Sequence, residues 1–129
     1  MSLQFVNVDL EIESKKPLKA IVAEFKDIDI EPLYNGESER SWLATFEVSS
    51  GGNDGNPDTV INRFIEIIER FEEEAKKEWG NAHAKVFDIG LEVTDEYSRF
   101  REELKPNTIN LISKYGASVV FTVYPQEKV

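Results

Sequence analysis

Few side chains in this sequence could perform chemistry other than that of carboxylates. The 129 residues contain no cysteine and one histidine, His83. Disulfides, thiolate zinc sites, cysteine nucleophiles and multi-histidine metal sites are therefore excluded. His83 follows Gly80-Asn81-Ala82 at the predicted end of a helix, where an exposed histidine needs no catalytic role. We therefore expect neither a cofactor nor a metal, and the sequence favours a protein that is not an enzyme.

A glycine-rich segment, residues 51–56, is the one stretch that could bind phosphate or calcium through its backbone. A phosphate-binding loop would end in Gly-Lys-Ser/Thr, and this segment has no lysine. A calcium-binding nonapeptide works only in tandem copies, and here there is a single copy. The segment is interpreted as a flexible connector between a strand and a helix.

The charge balance excludes several classes of partner. Asp and Glu number 25 against 15 Lys and Arg, which gives a formal net charge of −10. Such a surface repels nucleic-acid phosphates and anionic lipid headgroups and attracts basic proteins. The same charge also keeps a small protein soluble, without any partner. Residues 1–20 lack the basic start and apolar run of a signal peptide, so a cytoplasmic location is expected.

Alternating and helical hydrophobic patterns divide the chain into elements of one domain, residues 1–129. Period-two alternation predicts strands at 3–13, 27–33, 41–48, 85–94 and 117–124. Helical spacing predicts helices at 17–26, 57–79 and 106–115, the second capped by Asn56. Pro32 indicates an edge strand, and Tyr34-Asn35-Gly36 indicates a turn.

The order of these elements predicts an α+β fold. It is a ferredoxin-like βαββαβ sandwich extended by a C-terminal α-β, with a mainly antiparallel sheet and its helices on one face. The first strand would lie between the third and the fourth. The predicted core consists of Val8, Leu10, Phe46, Ile65, Ile68, Phe71, Ile89, Leu91 and Phe121.

The fold would gather carboxylates on the open face of the sheet, because outward strand positions there are acidic. The candidate binding residues are Asp9, Glu11, Glu47, Asp88, Glu92 and Tyr124. Oxygen clusters of this kind bind hard cations, and glycosidases use carboxylate pairs. Outward strand positions are also normally polar for solubility alone. Four apolar residues, Phe5, Leu43, Val120 and Tyr124, interrupt the acidic face, as in a surface that binds a basic protein.

The segments VFDIGLE at 86–92 and LKPNTINLISKYGASVVFTVYP at 104–125 resemble the bacterial domain-of-unknown-function family 4279. LYNG at 33–36 and LATFEV at 43–48 fit the same pattern. The resemblance is best over the last third of the chain. It implies a bacterial source but brings no catalytic or cofactor-binding residues.

Together these features predict an acidic, non-enzymatic protein-binding module, specifically an immunity protein that neutralises a basic bacterial toxin. The acidic helix face, residues Glu66, Glu69, Glu72, Glu73 and Glu74, is a second possible contact surface. The alternative function is a small-molecule or divalent-cation binding domain, or a carboxylate-based hydrolase, using the open sheet face.

Overall fold

The computed structural model describes residues 1–27, 29–49 and 55–126 as nine elements. The strands are β1 (Ser2–Ser14), β2 (Ile30–Ser38), β3 (Ser41–Val48), β4 (Ala84–Thr94) and β5 (Ser118–Tyr124). The helices are α1 (Lys19–Glu24), α2 (Pro57–Glu69), α3 (Glu73–Asn81) and α4 (Pro106–Lys114). None of these helices is long and apolar enough to cross a membrane. Most of the glycine-rich segment, residues 51–54, lies outside the described residues.

One five-stranded sheet organises the α+β fold, with the strand order β2-β3-β1-β4-β5. As predicted, β1 lies between β3 and β4, and it pairs antiparallel with both. The β2–β3 pair is also antiparallel, whereas β5 runs parallel to β4 at the other edge. A parallel neighbour requires a crossover, and the segment containing α4 supplies it.

The core lies between the apolar face of the sheet and the helices. Val8, Leu10 and Ile12 of β1 are fully buried, as are Ile61 and Phe64 of α2. The predicted core is confirmed for its other members except Phe121, which is 64% exposed. That prediction was wrong because β5 is an edge strand, and the helices leave this side chain uncovered.

The hairpin β2–β3 differs from the predicted strand and turn. Tyr34-Asn35-Gly36 lies inside β2, and the turn is Glu39-Arg40, with Glu39 in the left-handed region at a φ of 55°. A register shift between Pro32 and Tyr34 accommodates the proline. The prediction that Pro32 marks an edge strand is confirmed.

The single helix predicted over 57–79 is two helices. The N–H of Phe71 donates to the carbonyl of Ile68 at 3.1 Å, which closes α2 with a tight final turn. The N–H of Glu72 then donates to the Glu24 carboxylate at 2.8 Å, so α1 supports the start of α3. This break lets Phe71 contact the ring of Phe25, with the two centroids 5.6 Å apart.

Helix α1 is shorter than predicted and is held at its N-terminus by α3. The backbone N–H groups of Ala20 and Ile21 donate to the Glu78 carboxylate at 3.1 and 2.8 Å. A carboxylate at this position satisfies donors that a helix leaves unpaired and complements the helix dipole.

Candidate functional site

The open face of the sheet is acidic because strand alternation separates two sets of side chains. On β1, Val8, Leu10 and Ile12 are buried beneath the helices, while the intervening Asp9 and Glu11 are only partly buried. The same alternation on β3 and β4 places Glu47 and Asp88 on the open face, beside Asp9.

Four carboxylates form a row in register across four strands. Glu31 of β2 is opposite Glu47 of β3, Glu47 is opposite Asp9 of β1, and Asp9 is opposite Asp88 of β4. We call these four residues the carboxylate row; Val120 of β5 follows in the same register. Side chains directly opposite one another in an antiparallel pair have Cβ atoms about 4.5–5.5 Å apart. Like charges at such spacing repel, and each carboxylate of the row has one or two acidic neighbours.

Neutral donors compensate this charge only in part. The amide of Asn7 donates to Asp9 Oδ1 at 3.2 Å and to Glu47 Oε2 at 2.9 Å. The hydroxyl of Thr122 donates to Asp88 Oδ1 at 2.7 Å. Among the described residues, no lysine, arginine or histidine forms an ion pair with any member of the row.

The repulsion between these carboxylates acts on Asp9, the central residue of the row. Burial, followed by repulsion from Glu47, Asp88 and Glu11, raises the pKa of Asp9 to about 6. Burial and the charges of Asp88 and Glu13 also raise the pKa of Glu11. A carboxyl with a raised pKa is one whose ionised form is disfavoured by its surroundings. At neutral pH, the ionised carboxylate of Asp9 is therefore destabilised by burial and by its acidic neighbours.

Tyr124 lies at the border of this cluster, on the edge strand. Its ring passes close to Gly90: a Cβ at that glycine would lie 3.4 Å from Tyr124 Cε2. Burial, then the charges of Asp88, Asp9 and Glu11, raise the pKa of the Tyr124 hydroxyl.

Glu92 is farther from the row than its sequence pattern suggested. It pairs with Gln4 on one side and Tyr124 on the other, four residues beyond Asp88 along β4. Four residues of strand span about 13 Å, so its charge adds little to the repulsion at Asp9.

Sequence reasoning misplaced one residue of this face and missed two. A register shift between Phe5 and Asn7 turns Phe5 onto the core, so the prediction that it interrupts the open face was wrong. Glu31 was missed because the sequence does not give the register of β2 against β3, although Pro32 marks an irregularity there. Thr122 was missed because the position of β5 in the sheet was not predicted.

The described residues of the open face form no recognisable metal site. No group of three or more His, Asp or Glu side chains among the described residues is arranged to hold a metal ion. A cavity of about 570 Å³ lies elsewhere, at the end of β1. It is lined by Ser14, Lys15, Lys16, Pro17, Glu74, Lys77, Glu78, Asn81 and His83. The His83 imidazole there is 3.5 Å from Glu13, an exposed contact.

The acidic helix face differs from the sheet face in its charge pairing. Glu66 is 3.4 Å from Arg63, Glu73 is 3.9 Å from Lys76, and Glu74 is 3.7 Å from Lys77. Three of its five carboxylates thus have a cation nearby, unlike any member of the carboxylate row.

Comparison of the chain with protein-family models, curated proteins and solved structures finds no match.

Proposed function

We propose that this protein is a non-enzymatic binding module whose open sheet face receives a basic protein. The observation that carries the proposal is the carboxylate row: Glu31, Glu47, Asp9 and Asp88 stand in register with no cation paired to them among the described residues. Such an arrangement costs stability in the free protein. A cationic partner that neutralised the row would remove this cost.

A cationic partner would relieve the repulsion within the carboxylate row. A lysine or arginine placed over Asp9 would offset the repulsion that raises the pKa of this carboxyl to about 6. Binding would therefore lower that pKa and release protons between about pH 5 and 7. The net charge of −10 would also steer a cationic partner toward the protein, an effect that weakens as salt screens the field.

The sheet face is preferred to the helix face as the contact surface. Lys76, Lys77 and Arg63 already lie beside carboxylates of the helix face. Exposed pairs of this kind reduce the local potential that a basic partner would meet. Apolar side chains on the sheet face, Val120 and Tyr124, are 42% and 47% exposed and offer contacts that charge alone does not provide.

An immunity protein against a basic bacterial toxin is the specific form of this function that we propose. Acidic charge, small size and an open acidic sheet face suit an inhibitor that captures a cationic nuclease rapidly. Neither nucleic acid nor a membrane surface fits the same charge. A cytoplasmic location in a bacterium is part of this proposal, supported by the cysteine-free sequence and the segments that resemble family 4279.

We also propose a ferredoxin-like classification for the part of the fold that precedes α4. The antiparallel order β2-β3-β1-β4 supports it. The division of the second helix into α2 and α3, and the added parallel β5, are departures from that arrangement.

A carboxylate-based reaction at the same face is the second candidate function. The pKa of Asp9, about 6, favours it, since general acids work best with a pKa near the operating pH. Divalent-cation binding has less support, because no described group of acidic side chains has the arrangement of a metal site. Turnover on a glycoside or phosphoester panel, lost in Asp88→Ala, would establish the hydrolase and overturn the binding module.

The test of the binding module compares two variants of equal charge. Asp9→Asn/Glu47→Gln/Asp88→Asn neutralises the row, and Glu69→Gln/Glu73→Gln/Glu74→Gln neutralises the helix face. Each removes three negative charges and changes the formal net charge from −10 to −7. Isothermal titration with a lysine- and arginine-rich peptide measures affinity at low and high salt, and capture from bacterial extracts identifies natural partners.

We expect the row variant to lose affinity for the peptide and the captured basic protein, and the helix variant to retain both. The affinity of the wild type should fall as salt is raised. Equal losses in the two variants would mean that net charge alone drives binding, and loss only in the helix variant would assign the contact to the other surface.

A further inference from the structure

Strand β5 is an edge strand without any charged side chain. Its seven residues, Ser118–Tyr124, pair with β4 on one side, and no other described strand pairs with its outer side. Four apolar side chains of this strand are exposed: Val120 at 42%, Phe121 at 64%, Val123 at 52% and Tyr124 at 47%. An uncharged apolar edge presents unpaired backbone groups that template the addition of another strand.

The other edge of the sheet carries the features that prevent such pairing. Strand β2 contains Glu31, Pro32 and Glu37, and its register shifts between Pro32 and Tyr34. Charges, proline and bulges on an edge strand all oppose the addition of another strand. The two edges of one sheet therefore differ sharply in their capacity to pair.

We propose that β5 pairs antiparallel with β5 of a second copy of this chain, forming a ten-stranded sheet across a two-fold axis. Pairing of all seven residues places the axis at Phe121, the central residue, so that Val119 is opposite Val123 of the second copy. Identical strands are self-complementary in this arrangement, as an isologous interface requires. The inference goes beyond the proposed function and does not depend on it.

The lack of charged residues on β5 favours a second copy over a basic partner as the occupant. A basic protein would gain no charge pairing on this strand, since Ser118–Tyr124 contains no Asp or Glu. Two copies of a chain with a net charge of −10 repel each other, and a neutral strip gives them a surface of contact with little local repulsion. The Asp88 side chains of the two copies would be separated by three strand spacings, about 14 Å, beyond the screening length of about 8 Å at physiological salt.

The pairing would also join the two acidic faces. A two-fold axis perpendicular to the sheet keeps both open faces on the same side. Val120 and Tyr124 would then lie opposite Thr122 and Ser118 of the second copy along the seam, and a carboxylate row would lie on either side of it. The dimer would present one continuous surface about twice as wide as that of one chain.

Sedimentation velocity over a wide concentration range tests this interface. We expect the wild type to dimerise, and Phe121→Lys and Val123→Lys to stay monomeric over the range in which the wild type is dimeric. Leu33→Lys, at a 47% exposed position on the β2 edge, is the matched control and should dimerise. Each lysine reduces the net negative charge, so loss of the dimer cannot come from added repulsion between whole chains. Thermal unfolding of every variant verifies that it is folded.

A cysteine cross-link gives a second, independent measurement, because the wild type contains no cysteine. Phe121→Cys places two thiols opposite each other at the axis, and an oxidant or a short thiol cross-linker should trap a covalent dimer. Leu33→Cys should not cross-link. A wild type that is monomeric at all concentrations would overturn the proposal. The proposal would also be overturned if Phe121→Lys and Val123→Lys both remained dimeric and Phe121→Cys formed no covalent dimer.

Discussion

Asp9 and Asp88 are directly opposite each other in the β1–β4 pair, and Glu47 faces Asp9 from the other side. One central carboxyl therefore has acidic neighbours on both adjacent strands. Its raised pKa follows from this position and from the burial that accompanies it. Several measurable properties of the protein depend on this arrangement.

The first prediction concerns the pH dependence of stability. The folded-state pKa of Asp9, about 6, lies above its ordinary value of 3.8, so the folded protein binds this proton more tightly than the unfolded chain. The contribution of Asp9 to stability is thus fully present below about pH 4 and is lost as the pH rises through about 6. Asp9→Asn should remove this loss and stabilise the protein at pH 7 by about 1–2 kcal/mol, a value reduced for solvent screening at a half-buried group.

Urea unfolding of the wild type and of Asp9→Asn at pH 4, 5, 6 and 7 measures this effect. The difference in unfolding free energy should grow as the pH rises. A difference that is the same at every pH would show that Asp9 is not under electrostatic strain.

The second prediction concerns the packing of Asn7 against Gly90. A Cβ at position 90 would lie 2.7 Å from Asn7 Oδ1, so Gly90→Ala displaces the amide that donates to Asp9 and Glu47. We expect a destabilisation of about 1–2 kcal/mol, since the displaced amide donates to two carboxylates. In an Asn7→Ala background the clash is absent, and Gly90→Ala should be neutral or stabilising, since alanine reduces the entropy of the unfolded chain. Additive effects of the two changes in a double-mutant cycle would exclude this coupling.

The third prediction concerns the ion pair that ties the start of β2 to α2. Arg63 donates through Nε and Nη2 to the two carboxylate oxygens of Asp29 at 2.5 and 2.6 Å, and this bonding lowers the pKa of Asp29. Asp29→Asn should cost about 1–2 kcal/mol at pH 7, as expected for charge-assisted hydrogen bonds. The cost should vanish as the pH falls through the lowered pKa, below 3.8, because the wild-type carboxyl is then protonated as well.

Glu73→Gln is the control for this ion pair. Glu73 is 82% exposed and 3.9 Å from Lys76, so its loss should change stability by less than about 0.5 kcal/mol. Similar costs for the two variants at pH 7 would contradict a special role for the Asp29–Arg63 pair.

The fourth prediction concerns the core. Ile68 of α2 is 3% exposed, and Ile68→Ala should cost roughly 2–5 kcal/mol through lost burial and the cavity left behind. Ile109 of α4 is 52% exposed, and Ile109→Ala should cost much less. Chemical denaturation of both variants measures the contrast, and equal midpoints would show that α2 is not docked on the sheet as described.

The sequence by itself determined the α+β class and the existence and type of most elements. Strict alternation marked β1, β3 and β4, because one face of each strand is buried along most of its length. Local chemistry marked the start of α2: Asn56 accepts a hydrogen bond from the N–H of Thr59 at 2.9 Å, as its type predicts for a capping residue. Alternation also assigned Asp9, Glu11, Glu47 and Asp88 to the open face.

Only the tertiary structure decided features that depend on neighbours distant in sequence. The break between α2 and α3 depends on the Glu24 carboxylate and on the fit of Phe71 against Phe25, while the apolar spacing alone suits one continuous helix. The shift that turns Phe5 inward has no local signal. Pro32 marks an irregularity in β2, but it does not show that Glu31 lies opposite Glu47. Phe121 is exposed because β5 occupies an edge, and strand order is a property of the whole sheet. Local patterns fix which side of a strand is apolar, whereas long-range packing fixes which apolar residues are covered.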